Sequence, residues 1–285
     1  MNANLNFAGI PDQYASYETS KTVIIPVSYK GNTDATDRST NSPKALLEAA
    51  QHIELYDHET NTEVYKNGIY LLESLQFTSP SIMVDEVYNL VKKYIKRNKF
   101  IALIGQDAAV SMGAVKASNE CFDDLTILQI DAHANVCAEY KGTTIHPRCA
   151  MFEANQQANL VQVGIRSITK KEKTLINSDQ VFFANEMATD DYWMDTITDL
   201  LTGKVYVSFN LNAMDPSLIS SVYHPEPGGL FWYETLEFLQ KVCKEKEIIG
   251  LDFHGLHTDQ KSDISAILAS KLFYKILNYK FLPKD

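Results

Sequence analysis

The chain lacks several features that often announce a function. Its four cysteines, Cys121, Cys137, Cys149 and Cys243, include no C-x-x-C pair, which leaves a disulfide framework or a zinc knuckle unsupported as the organising device. Positive charge is in deficit. With 26 Lys and Arg against 36 Asp and Glu, the formal charge is −10, which argues against nucleic acid as a partner. No apolar run approaches the ~20 residues that a membrane span needs. Met1-Asn2-Ala3-Asn4 has neither the basic start nor the apolar run of a secretory signal, so a cytoplasmic protein is expected. No Gly-rich run opens a helix after a strand, and Gly228-Gly229 reads as a turn rather than a phosphate cradle. No serine lies in a nucleophile elbow, and no cysteine lies in a nucleophile signature. Repeats, low-complexity tracts and composition shifts are absent too, so residues 1–285 are expected to form a single domain.

What is present is an alternation of short apolar runs with helical patterns. Residues 22–27, 100–105, 125–130, 160–165, 204–209 and 248–253 are rich in Val, Ile and Leu and bounded by polar residues, as strands buried on both faces are. Ser42-Pro43 has the form of a helix start. Residues 84–97 are amphipathic, with Val84, Val87, Leu90, Val91 and Ile95 on one stripe, and residues 232–247 and 263–279 share that period. Residues 29–41 are polar and read as a surface loop. The alternation predicts an α/β fold with a mostly parallel sheet, where ligands bind outside the carboxyl ends of the strands.

The most informative stretch is Val207-Ser208-Phe209-Asn210-Leu211-Asn212-Ala213-Met214-Asp215-Pro216. Side chains alternate along a strand, so Asn210 and Asn212 point the same way at its end. A metal enzyme of this fold class would place two carboxylates there, whereas neutral amides are poor ligands for hard dications. Three further segments join this one: Asp131-Ala132-His133-Ala134-Asn135, Gly105-Gln106-Asp107-Ala108, and Pro225-Glu226-Pro227-Gly228-Gly229. Together they resemble, in order, the landmarks of the ureohydrolases, the arginase, agmatinase and formimidoylglutamase family, with an agmatinase-like flavour.

The resemblance implies a three-layer α/β/α arginase-like fold with a mostly parallel eight-stranded sheet. It also implies a hydroxide activated between two manganese ions held by four Asp and two His. Carried over to this sequence, the six ligand positions are Ala108, Asp131, His133, Asn135, Asn210 and Asn212. Asp131 and His133 alone remain as strong metal ligands. His146 matches the family's downstream histidine, proposed to shuttle protons or touch substrate. Asp107 and Asp215 match positions that orient ligands. Arg166 reads as a packing or salt-bridge residue. The glutamate that pairs with the guanidinium in the family falls on Gly255, and the usual Thr before Pro-x-Pro-Gly-Gly is His224.

These departures lead to several expectations. No cofactor is expected, with manganese the metal if any is bound. The primary expectation is a family member without hydrolase activity, serving as a regulatory, structural or ligand-binding protein. The alternative is an active metal-dependent hydrolase of agmatine or another linear amidine with an atypical or single-metal site. A substitute metal site at His254 and His257, drawing on Asp131, His133 and Asp252, stays open. The partner expected from the family is a second copy of the chain, as a trimer or hexamer, or an active relative in a hetero-oligomer. Asn135, Asn210 and Asn212 are expected to form one polar cluster with Asp131 and His133.

Overall fold

Alternate residues of each central strand face opposite ways, and both faces are apolar, so helices must cover both sides of the sheet. The computed structural model, which describes residues 6–29, 42–258 and 263–283, has this arrangement. Nine strands run β1 (Thr22–Tyr29), β2 (Ile69–Leu71), β3 (Leu75–Phe77), β4 (Phe100–Gly105), β5 (Leu125–Ile130), β6 (Asn159–Ile165), β7 (Val181–Phe183), β8 (Lys204–Asn210) and β9 (Glu247–His254). They form one sheet in the order β2-β1-β4-β9-β8-β5-β6-β7, with β3 also paired to β1. Every pairing is parallel. Among the described residues the sheet thus holds nine strands, one more than the eight that the family resemblance implies. The apolar runs of the sequence mark six of them, and β2, β3 and β7 are too short for such a run to register.

The helices are α1 (Ser42–Ala50), α2 (Pro80–Ile95), α3 (Ser111–Cys121), α4 (Phe152–Gln157), α5 (Lys170–Lys173), α6 (Ala184–Met187), α7 (Trp193–Leu200), α8 (Trp232–Glu245) and α9 (Ile264–Lys280). On one face of the sheet, Ile24, Ala102 and Ile104 pack with Leu46 of α1, Ile197 of α7, Leu239 of α8 and Phe273 of α9. On the other, Val23, Ile25, Ile101 and Leu103 pack with Val87 of α2, Ala114 of α3 and Ala154 of α4. This period-two split between the two clusters produces three layers from the strand pattern alone. No helix among the described residues is long and apolar enough to cross a membrane. Of the loop expected at 29–41, Tyr29 is described, as the last residue of β1, and the rest lies outside the described residues.

The strand order decides where a site can form. β4, β9, β8 and β5 lie side by side at the middle of the sheet. Asn210 pairs with His254, and Ser208 with Asp252. Asp107, His254, Asn210 and Asp131 therefore emerge at neighbouring carboxyl ends, where a doubly wound sheet places its ligand crevice.

Candidate active site

A cavity of about 200 Å³ opens at these strand ends. Asp107, Ala108, His133, Asn135, His146, Asn210 and Asn212 all line it, so most of the positions carried over from the family meet in one place. Asp131 lies beneath the cavity floor, fully buried. Asp215 does not line the cavity.

The floor is a hydrogen-bonded lattice centred on Asp131. Its Oδ2 accepts from Asn135 Nδ2 at 2.9 Å, Asn210 Nδ2 at 2.9 Å and Gln129 Nε2 at 3.3 Å. Its Oδ1 accepts from the His133 amide at 3.1 Å. The orientation of Asn210 is fixed from both ends, because its Oδ1 accepts from the Asn212 amide at 3.0 Å. Asn135 adopts a left-handed backbone, φ 55°, which asparagine tolerates better than most residues. Burial pushes the Asp131 carboxyl upward, but the nearby imidazoles of His133 and His254 and the donated hydrogen bonds outweigh it and hold it below the usual carboxylate range. Asn212 joins the cluster through its backbone, and its Oδ1 is buried without a hydrogen-bond partner.

Gln129 and Gln162 extend the lattice into the sheet. Gln162 Nε2 donates to Gln129 Oε1 at 2.5 Å and to the Ala134 carbonyl at 2.8 Å, and Gln129 Nε2 also donates to the His133 carbonyl at 3.0 Å. Neither glutamine stood out in the sequence. The available signal was a polar residue at a buried position of an otherwise apolar strand.

His133 stands above the lattice. Its Nδ1 lies 3.6 Å from Asp131 Oδ1, and its Nε2 lies 3.7 Å from Glu226 Oε1. The ring meets His224 edge to face. Burial, followed by the neighbouring His133 and Arg148, pushes the His224 imidazole down. His146 caps a short turn, with Nδ1 accepting from the Arg148 amide at 3.1 Å, and its ring lies 4.4 Å from that of Tyr140.

Asp107 is held by Tyr29, whose hydroxyl reaches both carboxylate oxygens at 3.0 and 2.9 Å, and by the Ala109 amide at 2.9 Å. Burial raises its carboxyl above the ordinary value despite these donors. Asp215 accepts from the amides of Ser217, Gly228 and Gly229 at 2.9, 3.0 and 3.1 Å, so it braces the Pro-Glu-Pro-Gly-Gly turn. Arg166, read as a packing or salt-bridge residue, binds backbone carbonyls. It reaches Asn212 at 2.8 Å and Glu226 at 2.9 Å through Nη2, and Gly164 at 3.1 Å through Nη1.

The substitute metal site does not form. His254 turns into the protein, 2% exposed, with Nε2 at 3.2 Å from Asp252 Oδ1. Asp252 Oδ1 also takes the hydroxyls of Ser111 and Ser208, each at 2.8 Å. His257 meets the Tyr223 ring edge to face instead. Among the described residues, no group of three or more His, Cys, Asp or Glu is arranged to hold a metal ion. The donor set at the floor also does not fit a pair of manganese ions. Amide N–H groups occupy the Asp131 oxygens, Ala108 offers no donor atom, and the unpartnered oxygen of Asn212 is neutral. Two dications need several carboxylates for compensation.

Comparison with known proteins gives the context. The sequence pattern of the arginase family matches residues 20–278. The chain is 31% identical over 276 residues to N(1)-aminopropylagmatine ureohydrolase of Synechocystis sp., covering 93% of this chain and 90% of the relative. Agmatine ureohydrolase of Thermoplasma volcanium superimposes with TM-score 0.86 at 20% identity, covering 98% of this chain and 95% of that one. A formiminoglutamase variant of Trypanosoma cruzi, solved with manganese, superimposes with TM-score 0.81 at 16% identity over 94% of this chain and 96% of its own.

These relatives overturn the expectation of a protein without hydrolase activity. The protein aligned over nine-tenths of the chain is named as a ureohydrolase, which points to an enzyme. Physically, the reading rested on one arrangement of metal ligands. Their replacement removes one means of activating water, while the fold and a cavity at the strand ends persist.

Proposed function

The chain belongs to the arginase family, and from that premise we propose that it is a C–N hydrolase of a linear amidine, agmatine or its aminopropyl derivative, working through an atypical site. The supporting observation is the alignment with an aminopropylagmatine ureohydrolase along almost the whole chain, combined with a cavity at the strand ends. Asp131 and His133, the two strong ligands left of the family set, would hold at most one manganese ion, and only with the amide donors of Asn135 and Asn210 turned away from the Asp131 carboxylate; such an ion would acidify a bound water. Asp107 would fix the loop after β4, and His146 would face the substrate from the mouth. Asp215 would keep the turn carrying Glu226 in register. A homo-oligomer, trimeric or hexameric, is the expected assembly.

The test is urea release from agmatine and from N(1)-aminopropylagmatine, with manganese added and with chelator. Release above the uncatalysed rate from either substrate supports the reading. No release under any metal condition from a folded protein overturns it.

A further inference from the structure

The carboxylates around the cavity differ in how much acceptor capacity is already spent. Asp131 takes donors from Asn135, Asn210, Gln129 and the His133 amide. Asp107 is satisfied by Tyr29 and Ala109. Asp252 is sealed at 0% exposure under two serine hydroxyls. Glu226 is different. It lines the cavity, its side chain is 35% exposed, and its nearest ionisable neighbour is His133 Nε2 at 3.7 Å, beyond hydrogen-bond length. Among the described carboxylates lining the cavity, it alone keeps both oxygens available to a ligand.

Its backbone is held firmly. Pro225 and Pro227 flank it and restrict the chain. Arg166 grips its carbonyl twice, through Nη2 at 2.9 Å and Nε at 3.3 Å. Asp215 fastens the next two amides. Gly255, which lines the same cavity, supplies no side chain, and Asn210 fills the space that one would need. The cavity thus has an open carboxylate on one wall and none at position 255.

We propose that Glu226 is the acidic residue that binds the planar cationic head of the substrate, the amidinium or guanidinium, in place of the carboxylate that position 255 lacks. The substrate class rests on the hydrolase reading above, but the contact does not depend on turnover. A planar head with paired N–H donors matches a carboxylate in a bidentate pair, which a point-charge ammonium cannot copy. Pre-organisation of the Pro-Glu-Pro segment lowers the ordering cost of that contact.

Calorimetric titration distinguishes this contact from hydrolysis. The ligands are agmatine and 1,4-diaminobutane, which has no guanidinium. The proteins are the parent, Glu226→Gln, Glu226→Asp and the surface control Glu237→Gln, each checked by melting temperature. The expected result is agmatine binding by the parent and the control. It weakens at least tenfold in Glu226→Gln and by less in Glu226→Asp, while 1,4-diaminobutane changes little. Agmatine binding within twofold of the parent in Glu226→Gln overturns the assignment, as does a parent that binds no agmatine. Loss of binding in Glu226→Gln from a parent that releases no urea supports the contact and overturns the hydrolase reading. Urea release with unchanged binding in the variant does the reverse.

Discussion

The carboxamide oxygen of Asn210 occupies the space that a Cβ at Gly255 would take. Gly255 also has φ +96°, a conformation that side chains rarely adopt. The two departures from the family pattern are therefore one structural unit. Asn210 turns its oxygen towards the Asn212 amide and its nitrogen towards Asp131, which leaves room at 255 for glycine alone. Gly255→Ala should cost about 2–4 kcal/mol, combining backbone strain and overlap. Combined with Asn210→Ala it should cost at least ~1 kcal/mol less than the sum of the two single changes. Denaturant unfolding of the four proteins measures this, and strict additivity would show that the two residues act separately.

Asp131 is the acceptor for three side-chain amides and a backbone amide. Asp131→Ala leaves those donors unpaired in a buried site, so stability should fall by about 3–5 kcal/mol. The sign of its pH dependence follows from a carboxyl held below its ordinary value. Its contribution is complete above roughly pH 4, the unfolded value, and is lost as pH falls through the folded value. Urea denaturation of parent and variant between pH 7 and pH 3 should show the gap narrowing at the acid end.

Restoring the family ligands makes a contrasting protein. Ala108→His, Asn135→Asp, Asn210→Asp and Asn212→Asp together place new carboxylates beside Asp131 and replace its donors with like charge. In metal-free buffer the quadruple variant should melt below the parent, because crowded carboxylates repel and raise one another's pKa. Manganese should recover the loss by binding the folded state preferentially. Equal melting temperatures with and without manganese would mean that these positions do not form one cluster.

Asp215 offers a sharper pH signature at the turn that carries Glu226. The hydrogen bonds from Ser217 and the amides of Gly228 and Gly229 pull its carboxyl down to about 2, against some burial in the other direction. A depressed folded value stabilises above the unfolded value, near 4, and the benefit fades as pH falls towards 2. Asp215→Asn should therefore be less stable than the parent by about 1 kcal/mol at pH 7, the order of a hydrogen bond to an accessible charge. The two should converge near pH 2, as followed by thermal melting across that range.

The central strands were legible in the sequence because long Val- and Ile-rich runs leave little ambiguity. Residues 100–105 and 125–130 coincide with β4 and β5. The edge strands β2, β3 and β7 are three residues each, too short for a period to register. At the site, motif spacing located Asn210, Asn212, Asp131 and His133, although β8 ends at Asn210 and Asn212 lies in the short 3-10 turn that follows rather than on the strand face that alternation assigned to it. Gln129, Gln162, Tyr29 and Glu226 were missed because their importance lies in partners far along the chain, such as Tyr29 with Asp107. Asp215 followed a motif position, yet it does not line the cavity itself, and its partners are backbone amides of the turn that brings Glu226 to it. The metal count was misleading in another way. It addressed one catalytic arrangement, whereas activity is a property of the whole pocket and its ligand.

The most direct measurement is a manganese titration of metal-stripped protein, reading urea release from agmatine and N(1)-aminopropylagmatine together with metal bound per chain. The predicted result is turnover that saturates at no more than one bound manganese per chain. Activity that appears only when a second ion binds, or no turnover at any metal content, would contradict it.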